Sequence, residues 1–330
     1  SPLVSAEDRG MSQGKKGSDA PDGGAAGANK GTMNRNVICT GHSRPIPQME
    51  FKDTDDGLFL ISACLDNRPM LRDGPSGDWI GSFVGHNGAV WCARLNSNGT
   101  RAVTASADFT AKYWCAITGQ MLHSFEHQHV VRAACFSKDD QKMFTAGREG
   151  KIRIFDLTKP TAEPSVCNDK GCMVHYLLNP SESPTLVSSD DKNHEVKIWD
   201  TRTNKSELKL QTDDIVTDLC LSCDGNMLCG TAGKTVFFWD IKTFEVVKTF
   251  KMDRDLLSVA VDMKKTRFVV GSPDELYVRS YQFENGAELT TYKGHHGPVG
   301  SLAFMPGGDF ASGSVDGTIR IWRQTVKTDE

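Results

Sequence analysis

One position recurs along this chain in constant phase, and that recurrence limits the folds open to it more than any other feature. Two stretches show the repeating unit complete. From Gly85 the sequence reads GHNGAV, a polar turn, TRAVTASAD and FTAKYW, and from Gly294-His295 it runs through Ser312 and Asp316 to Trp322. In both, a Gly-His pair precedes a β-branched run, an Asp stands six residues before a Trp, and Thr104 or Ser312 stands four before that Asp. Extending the phase gives Arg72, Trp114, Phe155, Trp199, Trp239, Tyr281 and Trp322, at spacings of 42, 41, 44, 40, 42 and 41. Six residues before these stand Asp66, Asp108, Glu149, Asn193, Gly233, Glu275 and Asp316, five of the seven acidic although the acids played no part in choosing the frame. A period of about 40–45 residues with this signature marks one four-stranded blade. Seven in phase predict an all-β, seven-bladed β-propeller.

The ends of the chain follow from that count. Residues 1–35 are rich in Gly, Ala, Ser, Asp and Lys and hold too little apolar surface to offset ordering, so they are expected to be a disordered tail. In later repeats the short run before the Gly-His position (78–83, 120–125, 248–251) reads as the outer strand of the preceding blade. The run at 36–40 has no preceding blade. It is therefore expected to complete the last one, closing the ring and using edge hydrogen bonds that would otherwise invite other chains. The propeller is placed at 36–323 and a short tail at 324–330.

Composition excludes several classes. A net charge of −4 argues against a general nucleic-acid or membrane-surface binder, and no stretch approaches the ~20 apolar residues of a membrane helix. With no secretory signal visible, the reducing cytosol or nucleus is the expected setting. Of ten cysteines, Cys64, Cys92, Cys135, Cys220 and Cys229 lie in apolar runs, where a thiol acts as a small hydrophobe. Cys220 and Cys223 form a lone CxxC without the second pair a structural zinc needs. No cofactor is expected.

His, Ser or Thr, and Asp in close order suggest a hydrolase. A catalytic site, however, occurs once, whereas this set is complete in two repeats and partial in others: His42, Ser62 and Asp66; His127, Thr145, Glu149 and Phe155; Ser189, Asn193 and Trp199. The reading adopted is structural, with Asp108 bonded to His86, His86 to Thr104, and Thr104 to the Trp114 indole. No catalytic residue is assigned. His123, His127 and His129 need not converge on a metal, and His295-His296 repeats the Gly-His position, so no metal ligand is assigned either. GREGK at 147–151 and TAGK at 231–234 lack a phosphate-loop framework.

Four stretches carry a family resemblance: PMLRDGPSGDWIGSFVGHNGAVW (69–91), TASADFTAKYW (104–114), FDLTKPTAEP (155–164) and YKGHHGPVGSLAF (292–304). Together they resemble the serine/threonine kinase receptor-associated, or unr-interacting, proteins, which are WD-repeat propellers. The resemblance implies a non-catalytic scaffold. It also implies association with the survival-of-motor-neuron machinery that loads Sm rings on spliceosomal RNAs, and in animals with TGF-β receptor signalling. The alternative is the i subunit of eukaryotic initiation factor three, which shares GAVW and GHxGP but ends in an aromatic-rich tail, where this chain has QTVKTDE after Arg323.

Partner contacts are expected on one annular face. The residue before each Asp position and those after Gly-His crowd there, which places Arg44, Asn87, Ala107, Arg148, Lys192, Asp274 and Val315 on a shared rim. Basic on blades one, three and four and neutral or acidic elsewhere, this rim suits a protein with a localised acidic patch better than RNA. The propeller alone is expected to be monomeric.

Overall fold

The computed structural model describes residues 36–168, 173–180 and 184–324. The expected tail at 1–35, and 325–330 of the other, lie outside the described residues. The described residues form seven antiparallel sheets of four strands. The innermost strands are Gln48–Thr54, Val90–Leu95, Val131–Phe136, Leu177–Leu178, Val216–Leu221, Ser258–Val261 and Val299–Phe304. Each abuts the next, and the last abuts the first.

Closure occurs where the N-terminal strand was expected to act. Asn36–Cys39 pairs antiparallel with Ile319–Trp322, Asn36 opposite Trp322 and Cys39 opposite Ile319, as the outermost strand of blade seven. The strand alternates as a one-sided edge should, with Cys39 buried and Ile38 exposed. All seven ladder residues lie on the third strand of their blades. Their constant phase thus reflects one strand in the same place seven times.

Apolar burial lies between blades. Ile61, Leu71 and Phe83 of blade one pack with Val90, Leu95 and Trp114 of blade two, and a corresponding cluster fills each other seam. A blade alone could not bury its faces, so stability needs the closed ring. Inner strands are also stitched by side chains reaching the next blade's backbone. Gln48 Oε1 accepts from Ala93 N at 2.9 Å, Cys92 Sγ donates to Ala134 O at 3.3 Å, and the Tyr176 hydroxyl donates to Thr217 O. Asp218 accepts from Val259 N at 2.9 Å, Ser258 donates to Val299 O at 3.1 Å and Ser301 to Ile46 O at 3.3 Å. Ala133 holds this place in blade three and has no group to offer.

Third strands of blades three to five end in Asp156, Asp200 and Asp240, whose carboxylates accept the backbone N–H two residues on at 2.8, 2.7 and 2.8 Å. These bonds turn the chain toward the outermost strand. At the end of the blade-five turn Phe244 sits at φ 57°, a position where blade two uses Gly119. Packing of its ring against the seam cluster between blades four and five offsets that strain.

Candidate functional site

The polar set read from the sequence forms one chain of hydrogen bonds. In blade two the Trp114 indole N–H donates to Thr104 Oγ1 at 2.9 Å, the Thr104 hydroxyl to His86 Nε2 at 2.6 Å, and His86 Nδ1–H to Asp108 Oδ2 at 2.8 Å. Asp108 also accepts from Asn87 N at 2.9 Å and from Thr110 N and Oγ1 at 3.0 and 2.7 Å. Burial raises this carboxyl's pKa, but the bonds from His86 and Thr110 outweigh it and hold Asp108 well below the usual carboxylate range. Blade seven repeats the chain from Trp322 through Ser312 and His295 to Asp316, at 2.8, 2.7 and 3.1 Å. Blade one keeps His42–Ser62 at 2.8 Å and His42–Asp66 at 3.1 Å. Because Ser62, Thr104 and Ser312 are fully buried, their hydroxyls offer no approach to a substrate. The network is structural.

Arg72 takes the aromatic's place in blade one. Its guanidinium packs against Gly41 as the Trp114 ring packs against Gly85. It donates to Gly77 O at 3.1 Å and to Thr40 O.

Two partial repeats differ from expectation. In blade three Glu149 does not reach His127. Its longer side chain takes the Gln128 N–H and the Arg153 guanidinium, at 2.7 Å from Nη2, while His127 Nδ1–H donates to Phe125 O at 3.1 Å. In blade four Trp199 donates to Ser188 at 2.9 Å, not to Ser189, which accepts from the backbone of His175 and Tyr176 at 3.2 and 3.0 Å. Ser188 pairs with Lys197 as Thr104 pairs with Lys112. The hairpin is one residue longer, so counting back from Asn193 selects the wrong serine.

His42, Cys64 and Asp66 bring donor atoms within 4.8 Å of one another, yet each is committed. Cys64 Sγ donates to Arg44 O at 3.1 Å and accepts from Asp66 N at 3.4 Å, the role of Ser106 in blade two at 3.1 Å to each partner. Burial pushes this thiol up to about 12, far from the thiolate a metal needs. The Cys220 and Cys223 thiols diverge, to Val259 O at 3.2 Å and Phe304 O at 3.0 Å.

The rim residues occupy two kinds of loop. Arg44 and Asn87 enter the innermost strands of blades one and two, while Ala107, Arg148, Lys192, Asp274 and Val315 sit in turns between second and third strands. The two loops of a blade are tied side by side, Ala107 N to Ala89 O at 2.8 Å, Arg148 N to Val130 O at 3.0 Å and Val315 N to Pro298 O at 2.9 Å. All are exposed except half-buried Ala107. Within the ring a cavity of about 440 Å³ is lined by the inner strands. Arg94 and Glu50 form an ion pair on its wall, and desolvation pushes the Asp218 carboxyl up to about 7 despite the bonds it accepts from Val259 N and Leu219 N.

Sequence reasoning missed residues at the other mouth of the ring, where the inner strands begin. Trp91 and Arg132 occupy one-residue bulges in the inner strands of blades two and three, with the Arg132 guanidinium 3.6 Å from the Trp91 ring centroid. The available signal was their place directly after the buried Val90 and Val131.

The WD domain, G-beta repeat family model matches residues 77–115, 119–156, 203–240 and 286–323. These matches end on the third strands of blades two, three and five and one residue past that of blade seven. The chain is 41% identical over 293 residues to a serine-threonine kinase receptor-associated protein of Gallus gallus, covering 88% of this chain and 83% of that one. A protein of the same description from Dictyostelium discoideum is 40% identical over 300 residues, covering 88% and 99%. Eukaryotic translation initiation factor 3 subunit I of Drosophila willistoni is 29% identical over 311 residues, covering 85% and 95%.

Proposed function

Because the chain belongs to the serine-threonine kinase receptor-associated protein family of WD-repeat propellers, we propose that it is a non-catalytic scaffold of an RNA–protein assembly machine of the survival-of-motor-neuron type. It works in the cytosol and nucleus and docks a protein partner through its annular face. The observation that carries this reading is the division of labour among polar groups. The blade networks are buried and committed to one another, whereas Arg44 and Arg148 stand exposed with side chains that bond nothing among the described residues. Two unpaired cations on a chain of net charge −4 favour a localised acidic patch over a uniform polyanion. Association with a kinase receptor, as the relatives' name describes for them, is a second use of the same scaffold.

Affinity purification of the full chain from native cytosol, followed by mass spectrometry, tests the proposal. Survival-of-motor-neuron subunits are the expected company, and recovery of initiation factor three instead would assign the chain to the alternative. The double variant Arg44→Glu, Arg148→Glu should lose the complex in a salt-dependent way with its melt unchanged. An intact complex would move the contact to the blade sides or the opposite face.

A further inference from the structure

We propose that the channel mouth at blades two to four is a carboxylate-binding site, which seats an Asp or Glu side chain of an acidic partner segment on Arg132. The inference rests on the reading of this face as the docking face and names the group that would be recognised there.

In every blade one residue at the start of the inner strand stands half-buried around the mouth: Pro47, Trp91, Arg132, His175, Thr217, Leu257 and Gly300. Blades five, six, seven and one contribute no charge. The polar side is built differently. Arg132 sits over Trp91, 3.6 Å from the ring centroid, and its guanidinium has no hydrogen-bond acceptor among the described residues. The Trp91 indole N–H is buried and also lacks a partner. Arg148 stands close by, since Val131 pairs directly with Gly147, and it forms no ion pair among the described residues. The His175 ring completes the group. Among neighbouring acids, Glu149 is held by Arg153, and Asp191 accepts from Met173 N at 3.0 Å.

Donors gathered without acceptors at a half-buried spot are what a ligand anion would satisfy. A guanidinium already held on an aromatic face loses little freedom on binding, and its planar fork matches a carboxylate in a bidentate pair. The charge balance selects a monoanion. Arg132 and Arg148 are the cations that act on His175, which burial and then Arg132 keep toward neutrality, and Asp191 is the acid that acts on it. A dianionic phosphate would bring more charge than the site neutralises, and the run of charges along an RNA backbone would meet a chain of net charge −4. The uncharged half of the mouth can take the apolar neighbours of the acidic residue.

The test is fluorescence anisotropy of the full chain with a labelled, capped peptide of alternating Glu and Gly. Comparison ligands are its Gln counterpart, a phosphoserine counterpart and a uridine oligomer. The Glu peptide should bind and the Gln peptide should not. Arg132→Gln should weaken binding at least about tenfold with an unchanged melt, and Arg132→Lys, which keeps the charge but not the fork, should also weaken it. Wild-type affinity in both variants, no Glu-peptide binding at low salt, or an Arg132-dependent preference for phosphopeptide or RNA would overturn the site. Loss of the native complex in the Arg44, Arg148 variant without Glu-peptide binding overturns the carboxylate site alone. A complex indifferent to that variant beside Arg132-dependent peptide binding overturns the rim reading alone.

Discussion

The Cys64 thiol donates to the Arg44 carbonyl at 3.1 Å, as Ser106 donates to Gly88 O at 3.1 Å in blade two. A cysteine here is a serine substitute within a turn. Cys64→Ser should therefore shift stability by less than about 0.5 kcal/mol, while Cys64→Val, which strands the Arg44 carbonyl and the Asp66 N–H, should cost about 1–3 kcal/mol. Added zinc should leave the wild-type melt where it is. A zinc-dependent rise in Tm would reassign His42, Cys64 and Asp66 to a metal.

Asp108→Ala and Asp316→Ala should each lower stability by about 1–3 kcal/mol, because both strand a buried histidine N–H and backbone donors. Glu149→Ala should cost less, since His127 bonds Phe125 O and Thr145 without it. Melts of the three variants check the order, and equal values for all three would refute the assignment of His–Asp bonds to blades two and seven.

Stability should depend on pH in two opposed ways. Asp66 and Asp316 are lowered to about 2 from an ordinary 3.8, by bonds that outweigh burial. Their contribution is present above 3.8 and is lost as pH falls toward 2. Asp218 is raised to about 7. Between 3.8 and 7 the unfolded chain binds fewer protons at this group than the folded one, so stability falls as pH rises through that window. Asp218→Asn should flatten the slope of Tm against pH between those values. An unaltered slope would show that Asp218 is ionised in the ring at neutral pH.

Removing residues 1–35 should leave the melt unchanged, whereas removal through Thr40 takes away the strand paired with Ile319–Trp322. The second chain should melt lower and self-associate through the exposed edge. Light scattering and a melt decide it, and a monomer melting like the full chain would place closure elsewhere.

Much of the ring was legible because its signals are local. The spacing from Thr104 to Trp114, or from His86 to Asp108, spans one hairpin or one inner strand pair, and seven repetitions in phase mark the same strand seven times. The closing strand followed from counting, since Val37 and Cys39 had no earlier blade to complete. Site assignments held in blades one, two and seven, failed at Ser189, where one added residue changed which hydroxyl faced Trp199, and failed at Glu149, whose longer side chain passes His127 to reach Arg153.

What the sequence by itself determined, then, is the residue types of the networks, written in separations shorter than a repeat, and the blade count and the ring closure, which follow from counting repeats and the strand left over at Asn36–Cys39. Only the tertiary structure decided that Arg132 lies on Trp91, that Arg94 meets Glu50 and that Asp218 reaches Val259. Those partners sit on neighbouring blades, about one repeat apart. Their contact depends on how the inner strands bulge and pack as the ring closes, and no periodicity within a single blade encodes it.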